Sequence, residues 1–177
     1  VGLQDFDQLS KFLKHADRSL RGHLSAFEVM WQNYYRLVTD DIAGNAVPLS
    51  RDYPLYVLVE ALGAEEQTAL DLLESALNEQ LIEDAVIAQS EAQRQSLWAL
   101  RDDVAQTFRH GPVFLFDVSL RLPDMATYVG DVNAGLEARF SEFHNYTLGH
   151  VGDGNLHFAI AVGDGGESAR QAVEAVS

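Results

Sequence analysis

The sequence reads as an α+β domain, a largely antiparallel sheet with helices packed on one side, and three observations point there. Residues 113–122 alternate strictly, with Phe114, Phe116, Val118, Leu120 and Leu122 on one face and Leu115, Asp117, Ser119 and Arg121 on the other. That is the pattern of a strand with one face in the core and one polar face. Two extended segments, 144–150 and 156–162, are separated only by a glycine-rich turn, which predicts a hairpin. Helical and extended segments alternate along the rest of the chain. That alternation alone would suit a parallel α/β sheet, but the half-polar strand and the hairpin favour antiparallel pairing.

Taken in order, residues 4–20 place Phe6, Leu9, Phe12 and Leu13 on one helical face. Residues 24–30 read as a strand and 31–42 as a helix, and 44–54 carry loop chemistry. The run 55–62 has strand length, is interrupted only by Glu60 and ends at Gly63. A helix is predicted over 64–81, with Leu70, Leu73, Ala76, Leu77 and Leu81 at helical spacing. After an extended piece at 82–88, Ser90 is an N-cap for a helix expected to continue to Phe108. In that helix Leu97, Leu100, Val104 and Phe108 form the apolar stripe, and Arg101 shares the adjacent stripe with Trp98 and Ala105. His110-Gly111-Pro112 ends the segment, and a further helix is predicted over 124–140. Residues 163–166 read as a loop and the last residues as the start of a helix. Neither a solenoid repeat nor an internal linker appears, so 1–177 reads as one domain.

Composition narrows the partners. Twelve Lys+Arg against 27 Asp+Glu give a formal charge of −15, and such a surface repels phosphate backbones and anionic lipid. Nucleic acid and membrane insertion are therefore not expected, and an anionic substrate must be drawn in by a few local cations. No cysteine is present, which removes disulfides, thiolate metal sites and cysteine nucleophiles. The cysteine-free composition suits a reducing cytoplasm. The first residue is Val1, as expected of a piece of a longer polypeptide.

The chemistry concentrates in Gly149-His150-Val151-Gly152-Asp153-Gly154-Asn155-Leu156-His157. Its glycines permit a tight turn, and Asp153 and Asn155 are natural turn residues. If the flanking strands pair across this turn, His150 and His157 can stand opposite one another on one sheet face. Two imidazoles so placed could share one metal ion, with a carboxylate or third imidazole completing the shell. The same spacing suits histidines hydrogen-bonded to backbone, or anion capture by the turn amides. Asp153 opposes the last of these by placing a negative charge there. His144 lies six residues from His150, about 20 Å along an extended strand, and reads as structural. His15, His23 and His110 read as surface or capping residues.

This motif resembles the signature of the FAD-linked oxidase C-terminal domain, the family of D-2-hydroxyglutarate dehydrogenase, D-lactate dehydrogenases and the glycolate oxidase flavin subunit. Leu24-Ser25-Ala26-Phe27-Glu28, Leu97-Trp98-Ala99-Leu100-Arg101 and Phe116-Asp117-Val118-Ser119-Leu120 resemble further family segments, in order. The resemblance implies the substrate-side domain of a flavoenzyme that oxidises a small D-2-hydroxy acid to the 2-oxo acid. It implies FAD, bound mainly by a separate domain, and a divalent metal, zinc by preference, on His150 and His157. Arg101 and Asp117 fall at substrate-binding positions and Asn155 at a cofactor-binding one. The family continues into a Glu-His-Gly segment that supplies a third ligand and the base. The chain is therefore expected to be incomplete at its C-terminal end, with no catalytic residue and no FAD-binding domain of its own. A homodimer or an electron-acceptor protein are further partners that the reading allows. The alternatives are a cap domain of a flavoenzyme with other chemistry, or a non-catalytic α+β ligand-binding module. Leu115 replaces the Lys that dicarboxylate-specific members carry; Ala105, Ala159 and Arg121 replace their Thr, Asn and Pro. These departures argue against a dicarboxylate substrate.

Overall fold

The computed structural model describes residues 1–163 and 165–176. Six strands form one sheet in the order β1-β3-β2-β5-β6-β4, antiparallel at every pairing. They are β1 Gly2–Leu3, β2 Leu24–Trp31, β3 Leu55–Ala61, β4 Phe114–Ser119, β5 His144–His150 and β6 Asn155–Ala161. The helices are α1 Phe6–Leu20, α2 Gln32–Thr39, α3 Glu66–Asn78, α4 Glu91–Asp102, α5 Leu122–Arg139 and α6 Glu167–Glu174. The α+β class and the antiparallel sheet are as the sequence predicts. Of the expected loop 163–166, Asp164 lies outside the described residues.

Residues of β2, β3 and β6 alternate between two apolar clusters, because successive side chains leave a strand on opposite faces. Val29, Val57, Leu156, Phe158 and Ile160 join Leu9 and Phe12 of α1, Leu72 of α3, Met125 and Val129 of α5 and Val173 of α6. Met30, Tyr56, Leu148 and Ala159 point the other way and meet Tyr34 and Tyr35 of α2 and Leu100 of α4. One-sided packing therefore holds for α1, α3, α5 and α6 and is corrected for α2 and α4. The cause is legible in β2 and β3, where both alternating sets hold large apolar residues; only part of the second face is polar.

Two helices differ from their predicted form. Ser90 caps α4 as expected, its Oγ accepting from Gln93 N at 3.2 Å. The helix stops at Asp102, however, and Val104–His110 is a 3-10 segment. The Tyr34 hydroxyl donates to the Arg101 carbonyl at 2.9 Å, occupying an acceptor that a continuing helix would offer to residue 105. Val104 and Phe108 consequently leave the stripe and are 44% and 54% exposed. In α3 the buried residues are Leu72 and Ala76, whereas Leu70 and Leu77 are exposed. Leucines on several sides of that helix made its inward face ambiguous in sequence. The two-residue β1 carries too short a pattern to read.

Candidate functional site

The turn between β5 and β6 sets the geometry. Val151–Asp153 forms a short 3-10 turn and Gly154 follows with φ of +77°, the positive value expected there. Gly149 lies where β5 and β6 approach closely: a Cβ there would come within 2.3 Å of the Asn155 carbonyl oxygen and 2.9 Å of Leu156 Cα. The register pairs His150 with Asn155, and His157 with Leu148. The two histidines thus share a face, as predicted, but stand diagonally rather than directly opposite. Their rings lie edge-to-face with centroids 5.2 Å apart.

Neighbouring strands supply a carboxylate to each ring. Glu28 of β2 stands opposite His150 and Asp117 of β4 stands opposite His157. His150 Nδ1–H donates to Glu28 Oε1 at 2.6 Å, and His157 Nδ1 is hydrogen-bonded to Asp117 Oδ1. A carboxylate on Nδ1 fixes the tautomer and leaves Nε2 with its lone pair outward. Glu28 is only 6% exposed, and its second oxygen accepts from Arg101 Nε at 3.0 Å. Arg101 Nη2 then reaches His150 Nε2, also at 3.0 Å, and Nη1 lies 3.4 Å from Asp102. A buried carboxylate, a guanidinium and an imidazole therefore close a ring of hydrogen bonds.

Arg101 is held from behind. Tyr34, fully buried, grips its carbonyl, and burial holds that phenol far above its ordinary pKa, with Arg101 acting in the opposite sense. One and two turns earlier, Trp98 Nε1 and Arg94 both donate to Glu60 on β3, pinning α4 across the sheet. Arg101 is thus salt-bridged to buried Glu28. An acidic residue inside an otherwise apolar strand run was the signal for it.

Asn155 borders the same face, with its Oδ1 buried and unpartnered among the described residues. Arg121 does not share the polar face of β4. It precedes α5, 85% exposed at its side chain, and pairs with Asp124. His144, read as structural, and His110, read as a surface or capping residue, stack at 4.0 Å. His15 meets Ser75 Oγ at 2.8 Å and His23 the Leu62 carbonyl at 3.0 Å.

The donor chemistry fits a divalent cation in part. Two imidazole Nε2 atoms, each backed by a carboxylate, are suitable ligands, and the unpartnered Asn155 oxygen offers a further polar atom beside them. Among the described residues no group of three His, Cys, Asp or Glu converges on one point. Also among them, no helix is long and apolar enough to cross a membrane.

Comparison with known proteins follows the same line. Residues 1–177 match the family described as FAD linked oxidases, C-terminal domain. A Schizosaccharomyces pombe protein provisionally named a mitochondrial D-lactate dehydrogenase is 33% identical over 91% of this chain and 33% of its own length. The mitochondrial D-2-hydroxyglutarate dehydrogenase of Arabidopsis thaliana is 32% identical over 93% of this chain and 30% of its own. The D-2-hydroxyglutarate dehydrogenase of Xanthomonas citri is 31% identical over 90% and 34%. The chain spans about a third of the length of these relatives. With the histidine motif, the strand order of the segments and the whole-length match in agreement, the chain belongs to the C-terminal domain family of the FAD linked oxidases.

Proposed function

We propose that this domain forms the substrate side of a FAD-dependent dehydrogenase that oxidises a small D-2-hydroxy acid. The observation that carries this reading is the single sheet face on which His150, His157 and Arg101 meet, each imidazole backed by a carboxylate. Arg101 binds the substrate carboxylate through a charge-assisted, two-point contact. His150 and His157 hold a divalent cation, zinc by preference, through Nε2. That ion, when bound, supplies Lewis-acid polarisation of the C2 hydroxyl, and FAD supplies the electron acceptor. Glu28 and Asp117 keep the imidazoles in the required tautomer, and Asn155 offers a hydrogen bond at the cofactor side. The face of β4 beside the histidines carries Leu115, Asp117 and Ser119 and no cation. A second carboxylate would meet no counter-charge there, which favours a monocarboxylic substrate. The cysteine-free composition supports a reducing, cytoplasmic setting.

Anaerobic flavin reduction tests the reading in the polypeptide that contains this domain. D-2-Hydroxy monoacids should bleach the flavin, their L-enantiomers should not, and Arg101→Ala should slow the reaction. Losing such a contact costs about 1.5–3 kcal/mol, or roughly ten- to a hundred-fold in kcat/KM. Bleaching by neither enantiomer of any 2-hydroxy acid would overturn the reading.

A further inference from the structure

Each guanidinium nitrogen of Arg101 has a partner in this structure. Its Nε is bound by Glu28, its Nη2 by His150 Nε2 and its Nη1 faces Asp102. Meanwhile the Glu28 contact on Nδ1 fixes His150 Nε2 as an acceptor. The outward lone pair of His150 is therefore occupied by Arg101 Nη2, and an ion cannot take it without breaking that hydrogen bond.

Resting on the metal and substrate reading above, we propose that Arg101 is a built-in competitor for the ion-facing nitrogen of His150. Cation and substrate carboxylate consequently bind with positive coupling. Before His150 Nε2 can be offered to an ion, Arg101 Nη2 must withdraw, both because one lone pair serves one partner and because two cations repel at that distance. The withdrawn Nη2, still aimed by the Glu28–Nε bond, becomes free for a carboxylate. In the reverse order, a carboxylate drawing Nη2 away exposes the lone pair. Because both ligands release one internal bond, each raises the affinity of the other by the same factor. Glu28 makes this exchange local: it keeps hold of both Nδ1 and Nε while the third side of the ring opens. The domain thereby disfavours an ion bound without substrate.

Calorimetric titration of Zn2+ into the chain, with and without saturating propionate, tests this. Propionate has a carboxylate and no hydroxyl, so it does not present the chelating pair of a 2-hydroxy acid. In the wild type, propionate should tighten Zn2+ binding about five-fold or more, the usual lower end of such coupling. Arg101→Gln should bind Zn2+ more tightly than the wild type without propionate, and the propionate effect should vanish. Arg101→Lys, which cannot span Glu28 and His150 together, should fall between them, and it keeps the test alive if Arg101→Gln fails to fold. A merely structural Arg101 predicts the opposite, weaker Zn2+ binding in both variants. That result, or a propionate effect surviving in Arg101→Gln, would overturn the coupling. Zn2+ binding untouched by His150→Ala and His157→Ala would instead refute the metal reading itself, and the coupling with it.

Discussion

Leu156, Phe158 and Ile160 of β6 face α1 and α5 and are at most 1% exposed. His157, between two of them, faces the other way, its side chain 30% exposed, in a patch with His150, Glu28, Asp117 and Arg101. The core face is stabilised by area, which is non-directional and tolerant of detail. The site face depends on hydrogen bonds whose geometry matters more than their net energy, since partly exposed ion pairs contribute little to stability. Period-two alternation thus lets one strand hold the fold and present chemistry with no trade between the two. Glu28 is the exception, a site residue buried as deeply as the core.

The largest expected effect separates the faces. Phe158→Ala should cost about 3–5 kcal/mol of unfolding free energy, the range for emptying an aromatic core position. His157→Ala, one residue away, should stay within about 0.5 kcal/mol of the wild type while abolishing Zn2+ binding. Urea denaturation with zinc calorimetry on both variants checks the pair. Comparable destabilisation by the two would break the division of labour.

Glu28→Ala comes next, because it strands a half-buried guanidinium and removes the partner of His150. Breaking a buried pair costs roughly 3–5 kcal/mol; Arg101 retains 20% side-chain exposure, which places the expectation at the lower end, about 3 kcal/mol. Glu28→Gln keeps an acceptor and should recover most of it. A denaturation midpoint unmoved by Glu28→Ala would show that the buried carboxylate contributes nothing to the fold.

Asp117 sharpens the comparison from the exposed side. Its side chain is 76% exposed, so Asp117→Asn should leave the unfolding midpoint unchanged. Loss of a carboxylate behind a metal-binding imidazole weakens affinity by about 10–100-fold, and exposure places this one near ten-fold. Calorimetry with zinc reads it directly, and equal affinity would show that Asp117 only decorates His157.

What the sequence revealed tracks the same division. Strict alternation at 113–122 and the glycine turn at 149–154 located β4, the hairpin and the common face of His150 and His157, because strand periodicity is local information. Their diagonal placement was hidden, since it depends on Val151–Asp153 folding as a short 3-10 turn, which shifts the register. The early end of α4 was equally invisible: it follows from Tyr34, 67 positions away in sequence, taking the Arg101 carbonyl. Glu28 was legible as an acidic residue in an apolar run, but not its partners, which come from a helix and a strand distant in the chain. Arg101 and Asp117 were placed by family resemblance, and the fold brings both to the histidines. Arg121, assigned by strict alternation to the face of Asp117, is past the end of β4.

The smallest expected effect lies at the far end of β5, where His144 stacks on His110 at 4.0 Å and on Tyr146 at 6.0 Å. Burial, followed by the neighbouring His110, lowers the pKa of His144, and Glu142 opposes them weakly. Its folded pKa is thus below the unfolded value of about 6.5. The unfolded chain then binds the proton more readily, so this residue's contribution to stability is fully present above that value. It is lost as pH falls through 6.5 toward the folded pKa. The side chain is exposed, and solvent screening keeps the change small. His144→Phe retains a ring for stacking and removes the titration. The thermal midpoint of this variant should therefore fall less steeply with acidification below about 6.5, with no difference in slope above it. Parallel curves for variant and wild type across that window would show that the stacked pair has no electrostatic cost. The site face, 150 to 157, would then be the only part of β5 and β6 where a histidine's environment matters.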